Sequence, residues 1–160
     1  MKNKLMQGML LIVVALANFA YAERGYEDPT LDWLPAELNW DKAQTVMIML
    51  DDNVFNPDDV VLKANQPYKL ILDNISNNVT HDLVDIDFFH AVVLKKMVVN
   101  GITINTPHIH SVQLRPNSQL SMFVVPVKEG EYEVFCSVKG HREDGMEGYI
   151  TIEPETAFLP

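Results

Sequence analysis

A single cysteine, Cys136, stands among 160 residues, so no internal disulfide can staple the chain. Glycine (7) and proline (9) are few and no residue type runs on, which excludes collagen-like, low-complexity and wholly disordered chains. There is no internal repeat. Positive charge is scarce too: 12 Lys and Arg against 22 Asp and Glu leave −10, and such a surface does not suit nucleic acid. Also missing is an apolar run of the roughly 20 residues that a membrane-spanning helix needs. The longest candidate, Met9 to Ala17, falls well short.

What is present is 48% hydrophobic residues, in a length that suits one globular domain. Ahead of it, Lys2, Lys4, the apolar run and the small-x-small site Ala20-Tyr21-Ala22 have the layout of a secretory signal. The expected organisation is a signal peptide at 1–22, an extension at 23–43, the main domain at 44–153 and a tail at 154–160. Cleavage would leave a periplasmic or secreted chain of charge −12 with no stable membrane insertion. The extension carries six acids and two bases. Its Trp33, Leu34, Leu38 and Trp40 are expected to pack across the domain, as an extended arm or a single helical turn.

The pattern of the main domain is all-β. Strand signals cover Thr45–Leu50, Val60–Leu62, Tyr68–Asp73, Val92–Val99, Ser111–Leu114, Gln119–Val125, Glu131–Cys136 and Gly148–Ile152. Turn signals separate them, among them Asn56-Pro57-Asp58, Asn100-Gly101 and Arg115-Pro116-Asn117. Tyr132, Val134 and Cys136 alternate with Glu131, Glu133 and Phe135, as they would on a strand with one buried face. Together these predict a β-sandwich. The stretch Phe88–Lys96 suits a strand or a short helix, and periodicity does not choose between them.

Chemistry concentrates after the strand that ends at Cys136. There Cys136, His141 and Met146 follow one another as C-x4-H-x4-M, so a thiolate, an imidazole and a thioether share eleven residues. Thiolate and imidazole bind copper strongly, and a thioether is a soft, weak ligand that zinc or calcium would hardly use. Gly140 and Gly145 let the loop fold back so that its donors converge. His81, which follows the polar stretch Asn74–Thr80 at a strand end, is the best candidate for a fourth donor. The alternative is that His81 merely ends a strand and that His90 or a backbone oxygen completes the site.

With these residues in view, positions 44–153 resemble the cupredoxins, the small blue copper proteins of the plastocyanin and azurin group. Val54-Phe55-Asn56-Pro57 and Val60–Ala64 are similar to the first strands of that fold. Pro67–Asn74 is similar to the strand leading to the family's first histidine, with His81-Asp82-Leu83-Val84 where that histidine belongs. Glu129–Cys136 resembles the strand into the copper cysteine, and Gly145–Ile150 the exit of the ligand loop. Phe88-Phe89-His90 resembles a stretch of an exported cupredoxin-like subgroup, with His90 in place of a basic residue. The resemblance implies a Greek-key β-sandwich and one copper ion, Cu(I) or Cu(II), held by His81, Cys136 and His141 with Met146 axial. It also implies one-electron transfer; an enzyme of this superfamily would need a second copper site, and with no histidine cluster beyond His108 and His110 and no second cysteine, no enzymatic activity is expected.

Some features stand apart from that pattern. Asn65 and Asn117 occupy places where glycine is common, and asparagine tolerates the left-handed backbone such places require. Lys139, Arg142, Glu143, Asp144 and Glu147 crowd the ligand loop with charge where many carriers present an apolar patch. His108 and His110 would share one face of a strand and could hold a second, weaker metal, but two solvated edge histidines are the favoured reading. Asn74-Ile75-Ser76 and Asn78-Val79-Thr80 match the short glycosylation pattern, which recurs by chance. Two functions fit: an exported electron carrier whose partner has a basic surface, such as a cytochrome, or a copper storage, delivery or resistance protein that meets a copper-trafficking partner.

Overall fold

The computed structural model describes residues 38–106 and 108–155. The expected signal segment, most of the extension and the last five residues lie outside the described residues. Among the described residues eleven strands form: β1 (Gln44–Asp51), β2 (Val54–Asn56), β3 (Asp59–Lys63), β4 (Tyr68–Asn74), β5 (His81–Val84), β6 (Val92–Val99), β7 (Ile102–Ile104), β8 (Ser111–Leu114), β9 (Ser118–Pro126), β10 (Gly130–Phe135) and β11 (Glu147–Glu153). One sheet has the order β2-β1-β4-β9-β6-β7 and the other β3-β11-β10-β5-β8. The chain crosses repeatedly from sheet to sheet, giving the Greek-key sandwich that the strand pattern and the resemblance implied.

Alternation explains the layers. Along β4, Leu70 and Leu72 are buried against the opposite sheet, and along β11 the inward residues are Ile150 and Ile152. Tyr132 and Val134 of β10 face the same core while Glu131 and Glu133 face water. The eight strand segments expected from sequence all form, with ends shifted by one residue or less. Phe88–Lys96 divides. Ile86–His90 is a short helix, α1, and the chain then enters β6 at Val92. The division follows from capping: the Asp85 carboxylate accepts from the N–H groups of Asp87 and Phe88, which starts a helix that propensity alone would not. The helix seats Phe88 and Phe89 in the core, with Phe88 edge-on to Tyr132.

The helical turn expected near Trp40 is a 3-10 turn at Trp40–Lys42, and Trp40 meets Phe123 of β9 edge-on at 6.0 Å between ring centroids. Asn65 and Asn117 adopt φ of 62° and 54°, as their positions required. The strand β7 was not signalled by the sequence. Its three residues, Ile102 to Ile104, are exposed, so it has no buried face to leave a pattern.

One glycine is required for close approach rather than for a turn. A Cβ at Gly148 would sit 2.2 Å from the carbonyl oxygen of Asp58, the same oxygen that accepts from the Tyr149 N–H at 2.8 Å where β3 joins β11. An added methyl forces these strands apart. We expect Gly148→Ala to lower unfolding free energy by about 1–3 kcal/mol, the usual penalty for overpacking. The midpoint of chemical denaturation checks this, and an unchanged midpoint would show that the strands can yield without loss.

Candidate metal centre

Four side chains singled out in the sequence come from two stretches that the second sheet sets side by side. His81 opens β5, Cys136 follows β10, and His141 and Met146 lie in the loop that leads to β11. The stretch before His81 crosses between sheets, so His81 begins its own strand in the second sheet instead of ending the strand Tyr68–Asn74. Pairing of β5 with β10 joins Val84 to Phe135 and draws the two ligand-bearing stretches together.

The ligand loop is folded by its own backbone. The His141 N–H donates to Val138 O at 3.0 Å, Met146 N–H to His141 O at 2.9 Å, and Cys136 N–H to Met146 O at 3.0 Å. Gly140 and Gly145, at φ of 90° and 101°, supply the left-handed residues of the two turns. Asn53, in the turn after β1, donates to the Asp144 carboxylate at 3.1 Å and ties the loop to the other sheet.

The donor atoms of His81, Cys136 and His141 lie within 4.8 Å of one another. Cys136 Sγ is 3.4 Å from His141 Nδ1, and the two imidazole centroids are 4.9 Å apart. His81, Cys136 and Met146 are wholly buried, whereas His141 keeps 9% of its surface exposed. Both ring nitrogens of His81 are buried without any hydrogen-bond partner. A buried imidazole ordinarily finds one, because an orphaned polar group costs about 1–3 kcal/mol. Here one of the unmet nitrogens lies within 4.8 Å of a thiol and a second imidazole, and the loop that joins them carries the buried Met146, a set of residues that fits one copper ion.

Two further residues hold this arrangement and gave no sequence signal. Asn74 is fully buried: its amide donates to Val79 O at 2.9 Å and Leu114 O at 3.0 Å, while its oxygen accepts from Ser76 N–H at 3.1 Å. Leu114 pairs with His81 across β5 and β8, so Asn74 locks the approach to that histidine. With its side chain so committed, Asn74 is no glycosylation acceptor. Asp82 is 5% exposed and accepts from Ser137 twice, from N–H at 2.5 Å and from Oγ at 2.6 Å. Its own N–H donates to Cys136 Sγ at 3.4 Å. One residue therefore fixes the strand of His81 to the loop of Cys136.

The charged loop is less crowded than its sequence implied. Arg142 turns away from the donors, lies 4.1 Å above the Phe135 ring, and pairs with Glu133 and, at 3.5 Å, with Glu147. His90 is not part of the centre: its ring lies beside His110, and neither His108 nor His110 is on a strand.

Electrostatics follow from burial. Desolvation holds His81 below its ordinary 6.5, and His141 adds to the effect, against weaker opposing pulls from Asp51, Asp82 and Asp52. Burial also pushes the Cys136 thiol above 9.0, while backbone N–H groups of Asp82 and Val138 act the other way. Both shifts favour the uncharged donor, so the imidazole binds a metal without first losing a proton more readily than a free histidine would, whereas the thiol must release its proton. Below pH 6.5 the unfolded chain takes up a proton that folded His81 resists, so stability falls with pH until the depressed folded value is passed. We expect metal-free protein to lose unfolding free energy between about pH 7 and about pH 5, and His81→Gln to lose less over the same range. Denaturant titrations at several pH values measure this, and equal slopes in the two proteins would contradict it.

Comparison with known proteins agrees with the fold. No curated protein matches the sequence. Among solved structures, auracyanin from the photosynthetic bacterium Roseiflexus castenholzii superposes with a TM-score of 0.51 at 17% identity, covering 70% of this chain and 98% of that one. Auracyanin B gives 0.50 at 24% identity, covering 70% and 90%. A laccase from Pediococcus acidilactici gives 0.56 at 15% identity, covering 75% of this chain but 28% of the laccase. At these identities the likeness is one of fold. The model of the cupredoxin-like domain family matches residues 9–152, nearly the whole sequence, and the chain belongs to the cupredoxin family.

Proposed function

We propose that this cupredoxin is an exported one-electron carrier, in which His81, Cys136 and His141 would hold copper and the Met146 thioether would serve as a weak fourth donor. The observation that carries this reading is the convergence of three donor atoms within 4.8 Å around a buried histidine whose nitrogens have no other partner. Copper, when bound, supplies a one-electron couple between its cuprous and cupric states. The protein's part is to keep its donors still. Asn74 fixes the approach to His81, Asp82 fixes the thiol side, and the loop's own hydrogen bonds fix His141 and Met146. Rigid donors leave little to reorganise when charge changes, which favours fast transfer.

The partly exposed edge of His141 is the route by which electrons enter and leave, because the other three side chains are sealed from solvent. The acidic surface supports a basic partner such as a cytochrome, with association that weakens as salt rises. Among the described residues no helix is long and apolar enough to cross a membrane, and the layout of residues 1–22 supports a periplasmic or secreted place. A carrier rather than an enzyme is supported by the likeness in fold to the auracyanins, of whose length this chain covers 90% or more. The competing reading, copper storage or delivery, draws on the exposed Lys139, Arg142, Glu143 and Asp144 around His141, which leave no apolar docking patch there.

The test uses the copper-loaded full chain. We expect one copper per chain and intense visible absorption from thiolate-to-copper charge transfer, lost in Cys136→Ser. Electron exchange with a basic cytochrome should be fast and slow down with salt, and cuprous ion should pass slowly to a chelator. Fast release without exchange would replace the carrier by a trafficking protein. Failure to bind copper would remove both readings.

A further inference from the structure

Three histidines, His90, His108 and His110, have no part in the metal centre, and two of them meet. His90 ends α1 and His110 directly precedes β8, twenty residues later. Their rings lie 5.7 Å apart between centroids, nearly perpendicular at 84°. The meeting is enforced by the fold. Val84, the last residue of β5, pairs with Ser111, the first of β8, so the chain leaving β5 and the chain entering β8 emerge side by side. Asp85 then caps α1, the Ala91 N–H closes the helix on Phe88 O, and buried Phe88 and Phe89 hold it against the core. Two rigidly anchored backbones thus present one imidazole each to solvent.

The geometry points to a second, exposed metal site at His90 and His110, taking one divalent ion of the kind that prefers nitrogen donors, cupric ion most tightly. Two imidazoles bound to one ion at about 2.0–2.1 Å place their ring centroids roughly 5 Å apart for a tetrahedral angle, and somewhat farther apart for wider angles. The separation of 5.7 Å is close to that, and close to the 4.9 Å between His81 and His141 in the buried centre. Both side chains are exposed, so each ring turns freely enough to aim a nitrogen at the ion. Among divalent first-row ions, copper binds such a nitrogen pair most strongly. With solvent open to the ion and no thiolate among the donors, the site is weaker than the buried centre and gives no charge-transfer colour. It lies beyond the far end of β5 from His81, about 10 Å along that strand, and does not depend on Cys136.

The experiment adds cupric ion to full-length protein already given one equivalent of copper. A second bound cupric ion should show electron paramagnetic resonance splitting from two imidazole nitrogens, while the visible absorption of the first stays unchanged. His90→Ala and His110→Ala should each weaken the second site by about tenfold or more, because either change destroys the chelate. Exposed alanine substitutions should leave the denaturation midpoint within experimental error. A second equivalent that stays free, or that binds equally well to both variants, would overturn the proposal and leave the two rings as an edge-to-face packing contact only.

Discussion

The structure depends on an imidazole that is buried and unpartnered. His81 has no solvent exposure and no hydrogen bond to either ring nitrogen. In an ordinary core such a group would be replaced or would find a carbonyl. Here it is retained at a cost in metal-free stability, and the surrounding sandwich offsets that cost. The same desolvation that keeps His81 neutral keeps its lone pair available, and the same burial that protects Cys136 from oxidation holds its proton until something displaces it.

A two-sheet architecture is what allows this. His81 and the residues leading into Cys136 belong to neighbouring strands of one sheet, but the segment that leads to His81 starts in the other sheet, where Asn74 closes β4. Buried polar contacts span the gap: Asn74 reaches Leu114 opposite His81, and Asp82 reaches Ser137 next to Cys136. Such contacts are directional, unlike apolar packing, so they set where the donors stand while the leucine and isoleucine core sets how firmly. The ion pairs of Arg142 with Glu133 and Glu147 act outside this shell. They are exposed, contribute little to stability, and chiefly hold the arginine clear of the pocket.

Much of this was legible in the sequence. Alternation revealed the strands, and the order cysteine, histidine, methionine behind a strand revealed the chemistry, because soft and borderline donors at that spacing have few other uses. His81 was found from its place after a polar stretch. The supports were not found. Asn74 sits in a segment that reads as an ordinary strand end, and its burial depends on Leu114, forty residues away. Asp82 reads as a surface charge beside a histidine, and only the pairing of β5 with β10 turns it inward. The helix Ile86–His90 depended on a cap that competes weakly with an apolar run, and the nearness of His90 to His110 depended on strand register, which single residues do not encode. Side-chain chemistry was therefore readable locally, whereas partners fixed by topology were not.

The pocket stands ready before any metal arrives. Crystal structures of the same protein, metal-free and copper-loaded, test it most directly. One ion bonded to His81, Cys136 and His141 is expected, with those side chains within about 0.5 Å of their metal-free positions. An ion bound elsewhere, or an imidazole at position 81 that swings into place only on loading, would contradict it.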